Sequence, residues 1–219
     1  MEWLHFPEFK LPIERFDRAM LAGDLDPDTK GPQVQALKQP NGSVIASHFH
    51  DVSQFQVIVG GGGIIGRSRM SKGMVRYVDR HRVYGPVRPD DNGLCYLTLR
   101  REHDPGPFYM PDSHDVLAER RPVAPRGLTF DLTALDTCWR DVQYGDDDGL
   151  TVSASNLLRH ETLALEMGGG GGFVVVIGGD IDDVSAVSAR WLDAGSQLKG
   201  QAGQSGARVL RLQFPVEDD

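Results

Sequence analysis

The sequence predicts an all-β protein made of two tandem antiparallel β units, with a short helix ahead of them. Three observations carry this. From Gln33 onward the chain is a series of short apolar runs cut by Gly, Pro, Asn and Asp, the texture of antiparallel strands joined by turns. A Pro-rich, charged segment, Asp104 to Arg126, divides the runs into two groups. Finally, Phe55-Gln-Val-Ile-Val-Gly-Gly reappears 118 residues later as Phe173-Val-Val-Val-Ile-Gly-Gly, which points to an internal duplication.

The elements follow in order. Pro12 suits the first turn of a helix that places Ile13, Phe16, Met20 and Leu21 on one side and stops at Gly23. The Asp-, Pro- and Gly-rich stretch 24–32 is a loop. Strands are expected at Gln33–Lys38, Ser43–Phe49, Gln54–Val59, Met74–His81 and Leu94–Arg100. The second group is Leu128–Leu132, Leu150–Ser153, Glu161–Met167, Phe173–Ile177 and Val209–Phe214, while Ser185–Leu192 fits either class. The resulting division is an N-terminal arm and helix over 1–32, a first β unit over 33–122 and a second over 123–219.

Composition narrows the function. The 219 residues are 40% hydrophobic and 25% charged with a net charge of -8, which excludes a general nucleic-acid binder because phosphate recognition needs a cationic footprint. No apolar run is long enough to span a membrane. The start of the chain lacks a basic segment followed by an apolar one. Cys95 and Cys138 lie far apart in apolar contexts and read as buried thiols, with a single disulfide as the alternative. Together these favour a cytoplasmic protein with a small-molecule partner. The apolar N-terminal residues Trp3, Leu4, Phe6 and Phe9, with exposed strand edges, suggest a homodimer.

His48-Phe49-His50, followed by Gln54-Phe55-Gln56, concentrates the chemistry. Side chains two apart on a strand share a face, so His48, His50, Gln54 and Gln56 point the same way. Two imidazoles at this spacing can close on one metal ion. The pattern Gly42, His48-x-His50, Gln54, then glycine at 60 or 61 resembles the first motif of the cupin superfamily, with Gln54 where that family has Glu. The second motif is represented by Met74 to Pro86, which offers His81 without the usual Pro-x-Gly before it. The resemblance implies two cupin-type jelly-roll barrels, the second degenerate. Offset by 118 residues, His48, His50 and Gln54 fall on Glu166, Gly168 and Gly172, so only the first barrel carries a site.

Alternation along Met74 to Val83 puts Val75, Tyr77, Asp79 and His81 on one face and Arg76, Arg80 and Arg82 on the other. Taking the arginine face as solvent turns His81 inward as a third ligand, with Asp79 orienting it. Gln54 is then a fourth ligand or a hydrogen-bond donor to something bound. Gln56, Tyr77 and Arg100 are candidate substrate contacts, Arg100 reaching the mouth to pair with a carboxylate. The resemblance implies a divalent metal, with iron favoured over zinc, manganese or nickel, and a dioxygenase acting on a small polar organic molecule. Zinc would instead supply a hydrolytic or lyase-type nucleophile. Because Gln54 is uncharged, a non-catalytic binding or sensory cupin is the rival, and metal-free isomerase or lyase chemistry a third reading. Gly61-x-Gly63-x-x-Gly66 fits the dinucleotide fingerprint in spacing only, since no apolar-faced helix follows. Asp146-Asp147-Asp148-Gly149 lacks the alternation of a calcium loop and reads as a turn.

Overall fold

A computed structural model describes residues 1–23, 28, 31–120, 125–132 and 142–216. The chain divides into two compact units, Pro7–Thr133 and a smaller one joining Met1–Phe6 to Ala134–Asp219. In chain order, β1 (Leu4–His5) belongs to the smaller unit. The larger contains β2 (Asp17–Ala22), β3 (Gln33–Gln39), β4 (His48–Phe49), β5 (Gln54–Ile65), β6 (Ser68–Ser71), β7 (Val75–Val78), β8 (Val87–Arg100), β9 (Phe108–Tyr109), α1 (His114–Glu119) and β10 (Gly127–Phe130). The smaller continues with β11 (Val142–Gly145), β12 (Thr151–Leu157), β13 (Thr162–Glu166), β14 (Gly172–Ile181), β15 (Val184–Ser185), β16 (Ser188–Leu192) and β17 (Gln197–Gln213).

The main sheet of the larger unit runs β10-β7-β5-β8-β3-β2, all antiparallel, and β4 pairs with β9 in a small second layer. The main sheet of the smaller unit runs β1-β16-β14-β17-β12-β11. Position by position the two orders are equivalent. Both long central pairs also break register at matching places, around Gly60 to Gly63 in one and Gly178 to Ile181 in the other. Gly61 (φ +66°) would drive a Cβ into the Gly93 carbonyl, and Gly179 (φ +67°) into that of Gly206. Only glycine tolerates that backbone and that approach, so the repeated glycines of the sequence mark a repeated bulge.

Three expectations need correction. Residues expected as the N-terminal helix instead form β2, registered on β3 from Asp17↔Lys38 to Ala22↔Val34. A lone helix of that length is marginal, whereas the strand gains a ladder on an existing sheet. Second, the strand expected at Ser43–Phe49 shrinks to His48–Phe49, with a single bridge Ile45↔Val87 before it. Third, β10 pairs with β7, so the larger unit runs past 122, and residues 7–32 belong to it rather than to a separate arm. Trp3 packs on the smaller unit's core, Phe6 is buried and the Phe9 ring lies over Gly60.

The Asp146 segment is a turn, closed by Gly149 N–H to the Asp146 carbonyl at 2.9 Å. Cys95 is a buried free thiol whose pKa burial raises to about 11; Cys138 lies outside the described residues. Among the described residues no helix is long and apolar enough to cross a membrane.

Candidate functional site

Strand register builds the site in rows. Across β3, β8 and β5 the inward side chains read Leu37–Tyr96–Ile58, then Gln35–Thr98–Gln56, then Gln33–Arg100–Gln54. The first row is apolar but for the Tyr96 hydroxyl, which donates to the Gln39 side chain at 3.1 Å. The other two rows are polar and buried. A cavity of about 100 Å³ lies against them, lined also by His48, His50, Tyr84, Arg18 and Tyr109.

At its wall the Tyr84 hydroxyl touches three of the motif's polar side chains. It lies 2.9 Å from His48 Nε2, 2.6 Å from Gln54 Nε2 and 3.2 Å from Gln56 Nε2. The protons in this cluster follow from groups that have only one possible role. Arg100 is purely a donor, and its Nε meets Gln54 Oε1 at 3.1 Å. Gln54 must therefore turn its NH₂ to Tyr84. The Ala46 carbonyl only accepts, and His48 Nδ1 sits 2.7 Å from it, so the His48 proton is on Nδ1. His48 Nε2 then accepts the Tyr84 proton, and the Tyr84 oxygen accepts from both glutamines. Burial lowers the His48 pKa to about 4 and raises that of Tyr84 to about 12. Near neutral pH the cluster is uncharged, as its hydrogen bonds require.

A second cluster stands beside it. His50 Nδ1 is 2.7 Å from Asp104 Oδ2, which also pairs with Arg100 Nη2 at 3.2 Å. Arg100 Nη1 donates to Gln33 Oε1 at 3.0 Å, and Gln33 Nε2 donates to the Asp104 carbonyl at 3.2 Å. Burial alone would raise the Asp104 carboxyl, but the His50 contact and the Arg100 charge hold it below its ordinary value. Burial outweighs Asp104 at His50 and lowers the imidazole, keeping it neutral. Arg100 and Asp104 thus neutralise each other out of water.

No known family profile matches the sequence, and no curated protein matches it. Solved structures do. The bacterial pirin YhhW of Escherichia coli, in complex with nickel(II), superposes with a TM-score of 0.62 at 10% identity, over 99% of both chains. A cupin 2 conserved barrel domain protein of Leptotrichia buccalis gives 0.50 at 11% identity, over 93% of this chain and 90% of that one. An oxalate decarboxylase gives 0.64 at 9% identity, over 99% and 78%. It is a cupin by fold. At these identities the likeness carries the architecture and nothing finer.

Against that architecture, the residues expected to act together do not all meet. His48, His50, Gln54 and Gln56 do converge. His81 does not: β7 ends at Val78, and His81 lies in the following turn with φ 62°. Its Nε2 is 3.3 Å from Asp51, and its backbone N–H donates to the His50 carbonyl at 2.8 Å. Asp79 serves Arg126 and the Tyr77 hydroxyl rather than His81. Tyr77 packs on Phe55, on the sheet face away from the cavity. Charge misled the choice of face because all four residues of β7 are buried. Arg76 is the inward one, registered beside Gln56 and stacked 5.2 Å over the Tyr84 ring. Arg100 is 2% exposed and clamps Gln33, Gln54 and Asp104, a different place from the solvent-facing mouth expected of it.

One of these structural neighbours is in complex with nickel(II), which raises the question whether this site fits a metal. Its donors do not. The His48 Nε2 lone pair is taken by Tyr84, and the Gln54 oxygen is taken by Arg100. At the family's Glu position the site thus presents an N–H, and a guanidinium stands behind it. These groups surround an oxygen acceptor, which Tyr84 supplies, and they oppose a cation. Among the described residues no three His, Cys, Asp or Glu side chains gather as ligands.

The residues missed from the sequence are Asp104, Gln33, Gln35 and Thr98; Tyr84, by sequence a candidate contact or part of a Tyr-Gly-Pro turn, bridges His48. Strand parity could have flagged Thr98, which is in phase with Tyr96 and Arg100. Asp104 sits in a loop and has no such signal. The smaller unit places Gly172, Val174 and Gln213 at the positions of Gln54, Gln56 and Arg100. Its interior is an apolar cluster around Val174, Val176, Leu198 and Val209.

Proposed function

We propose that this cupin binds a small polar organic molecule in the larger unit without a metal ion. The observation that carries the reading is the Tyr84 hydroxyl. It holds one donated and two accepted hydrogen bonds at the point where the histidine and Glu-position side chains of the motif converge. With Arg100 on the Gln54 amide and Tyr84 on His48 Nε2, two of the motif's cation donors are committed to neighbours. What is left is a water-sized to metabolite-sized cavity beside a rigid polar wall, the usual form of a small-ligand site.

Elemental analysis of protein as purified, followed by anaerobic titration with Fe(II), Zn(II), Mn(II) and Ni(II), tests this. The expected result is metal far below one equivalent and no saturable uptake. Stoichiometric binding that disappears in His48→Ala overturns the proposal and returns the protein to the metal-dependent dioxygenase reading.

The buried His50–Asp104 contact favours a second, catalytic reading. With its proton held on Nδ1 by Asp104, His50 is the tautomer whose Nε2 can take a proton from a bound molecule. Isomerase or lyase turnover that survives a chelator and is lost in His50→Gln supports that reading.

A further inference from the structure

We infer that the ligand of the larger unit's cavity is a short hydroxy-carboxylic acid, bound with its hydroxyl inward and its carboxylate at Arg18. This rests on the metal-free reading above and adds the ligand's chemistry. Gln56 Oε1 and Thr98 Oγ1 are buried and make no hydrogen bond. They stand directly opposite each other across β5 and β8, and Gln35 continues the row on β3.

The orientation of Gln56 is forced. Tyr84 gives its only proton to His48 and so accepts from the Gln56 NH₂, which leaves the amide oxygen to the cavity. That oxygen needs a donor. A buried acceptor left unmade is costly, so the inner end of the ligand carries an O–H or N–H. Thr98, next to it, can give or take the second bond to the same hydroxyl. Cavity size limits the rest, since 100 Å³ is the share of about three water molecules.

The outer end follows from charge. Of the cavity's ionisable residues, Arg100 is paired with Asp104 behind the wall, and His48 and His50 are neutral. Arg18 is exposed, lines the cavity and has no ion-pair partner among the described residues. It lies on β2, three strands and one row from Gln56, about 14 Å across the sheet and about 7 Å along it, a gap that its long side chain and a short acid fill together. Arg76, also inward and cationic, adds to the same sign.

Calorimetric titration of the full chain in EDTA with lactate, propionate and lactamide tests the inference. Lactate carries both groups, propionate lacks the hydroxyl and lactamide lacks the charge. Lactate should bind about tenfold or more tighter than propionate, the cost of leaving Gln56 and Thr98 unsatisfied. It should exceed lactamide by a few-fold, in a salt-dependent way. Thr98→Val should erase most of the first difference and the exposed Arg18→Ala the second. Equal binding of lactate and propionate, no lactate binding at millimolar concentration, or no effect of either variant overturns the inference and leaves the metal-free reading standing. Lactate binding that appears only when EDTA is replaced by Zn(II) or Fe(II) overturns both.

Discussion

The Tyr84 hydroxyl lies 2.9 Å from His48 Nε2, the atom that the cupin motif would turn toward a metal. With the His48 proton held on Nδ1 by the Ala46 carbonyl, Tyr84 donates here and, through Gln54, links the motif to the buried Arg100–Asp104 pair. A perturbation at one end should be felt at the other.

Tyr84→Phe tests the hub. It keeps the ring and removes one donated and two accepted hydrogen bonds, leaving His48 Nε2 and two amide NH₂ groups buried without a partner. The expected loss is about 2–4 kcal/mol, or roughly 4–16 °C in the melting of the larger unit. Thermal or urea denaturation reads it directly. A change within experimental error would mean that Tyr84 is not the hub.

Stability should fall with acid in a defined window. The His48 pKa in the folded protein is about 4, below the unfolded value of 6.5. The unfolded state therefore takes up a proton first, and the contribution present above pH 6.5 is lost as pH drops toward 4. The gap corresponds to about 3 kcal/mol. His50, also lowered, acts in the same direction. Asp104, lowered too, adds a loss below the ordinary carboxylate range. Urea midpoints between pH 7 and 4 should slope accordingly, and less steeply in His48→Gln. A flat profile contradicts the assignment of a buried neutral imidazole.

Asp104→Asn should cost about 3–5 kcal/mol, because it strands the Arg100 charge out of water. Arg100→Met combined with Asp104→Leu should recover a substantial part, since the penalty belongs to the lone charge rather than to the lost pair. If the single and double variants prove equally unstable, the pair is not a self-neutralising unit.

His81→Gly separates the observed turn from the expected ligand. At φ 62° a non-glycine side chain is strained, while its 3.3 Å contact with Asp51 is partly exposed and worth little. The variant should melt within a few degrees of wild type and keep the small-molecule affinity of the cavity. Loss of that affinity would put His81 in the site.

How much of this was legible beforehand depends on the range of the interaction. His48, His50, Gln54 and Gln56 could be placed on one face because alternation is a local property of a strand. The duplication was visible because the bulge at Gly61 and Gly179 demands glycine whatever surrounds it. Alternation fails where its premise fails. Along Val75–Val78 both faces of the sheet are buried, so the arginines did not mark solvent, and past Val78 there is no strand to carry the pattern to His81. The Ile13 to Leu21 stretch suits either a helix or a strand, and only the open edge of β3 made it β2.

The sequence by itself determined the all-β class, the repeated unit, and which half holds the histidine pair. Tertiary structure alone decided what that pair does. Tyr84, Asp104 and Arg100 meet it from a single β-bridge opposite His48, a loop and strand β8, at separations along the chain that no local period records. Hydrogen bonds and charges act over a few ångströms of space and are blind to distance in sequence, so the contacts of the pair could be read only once the chain had folded around it.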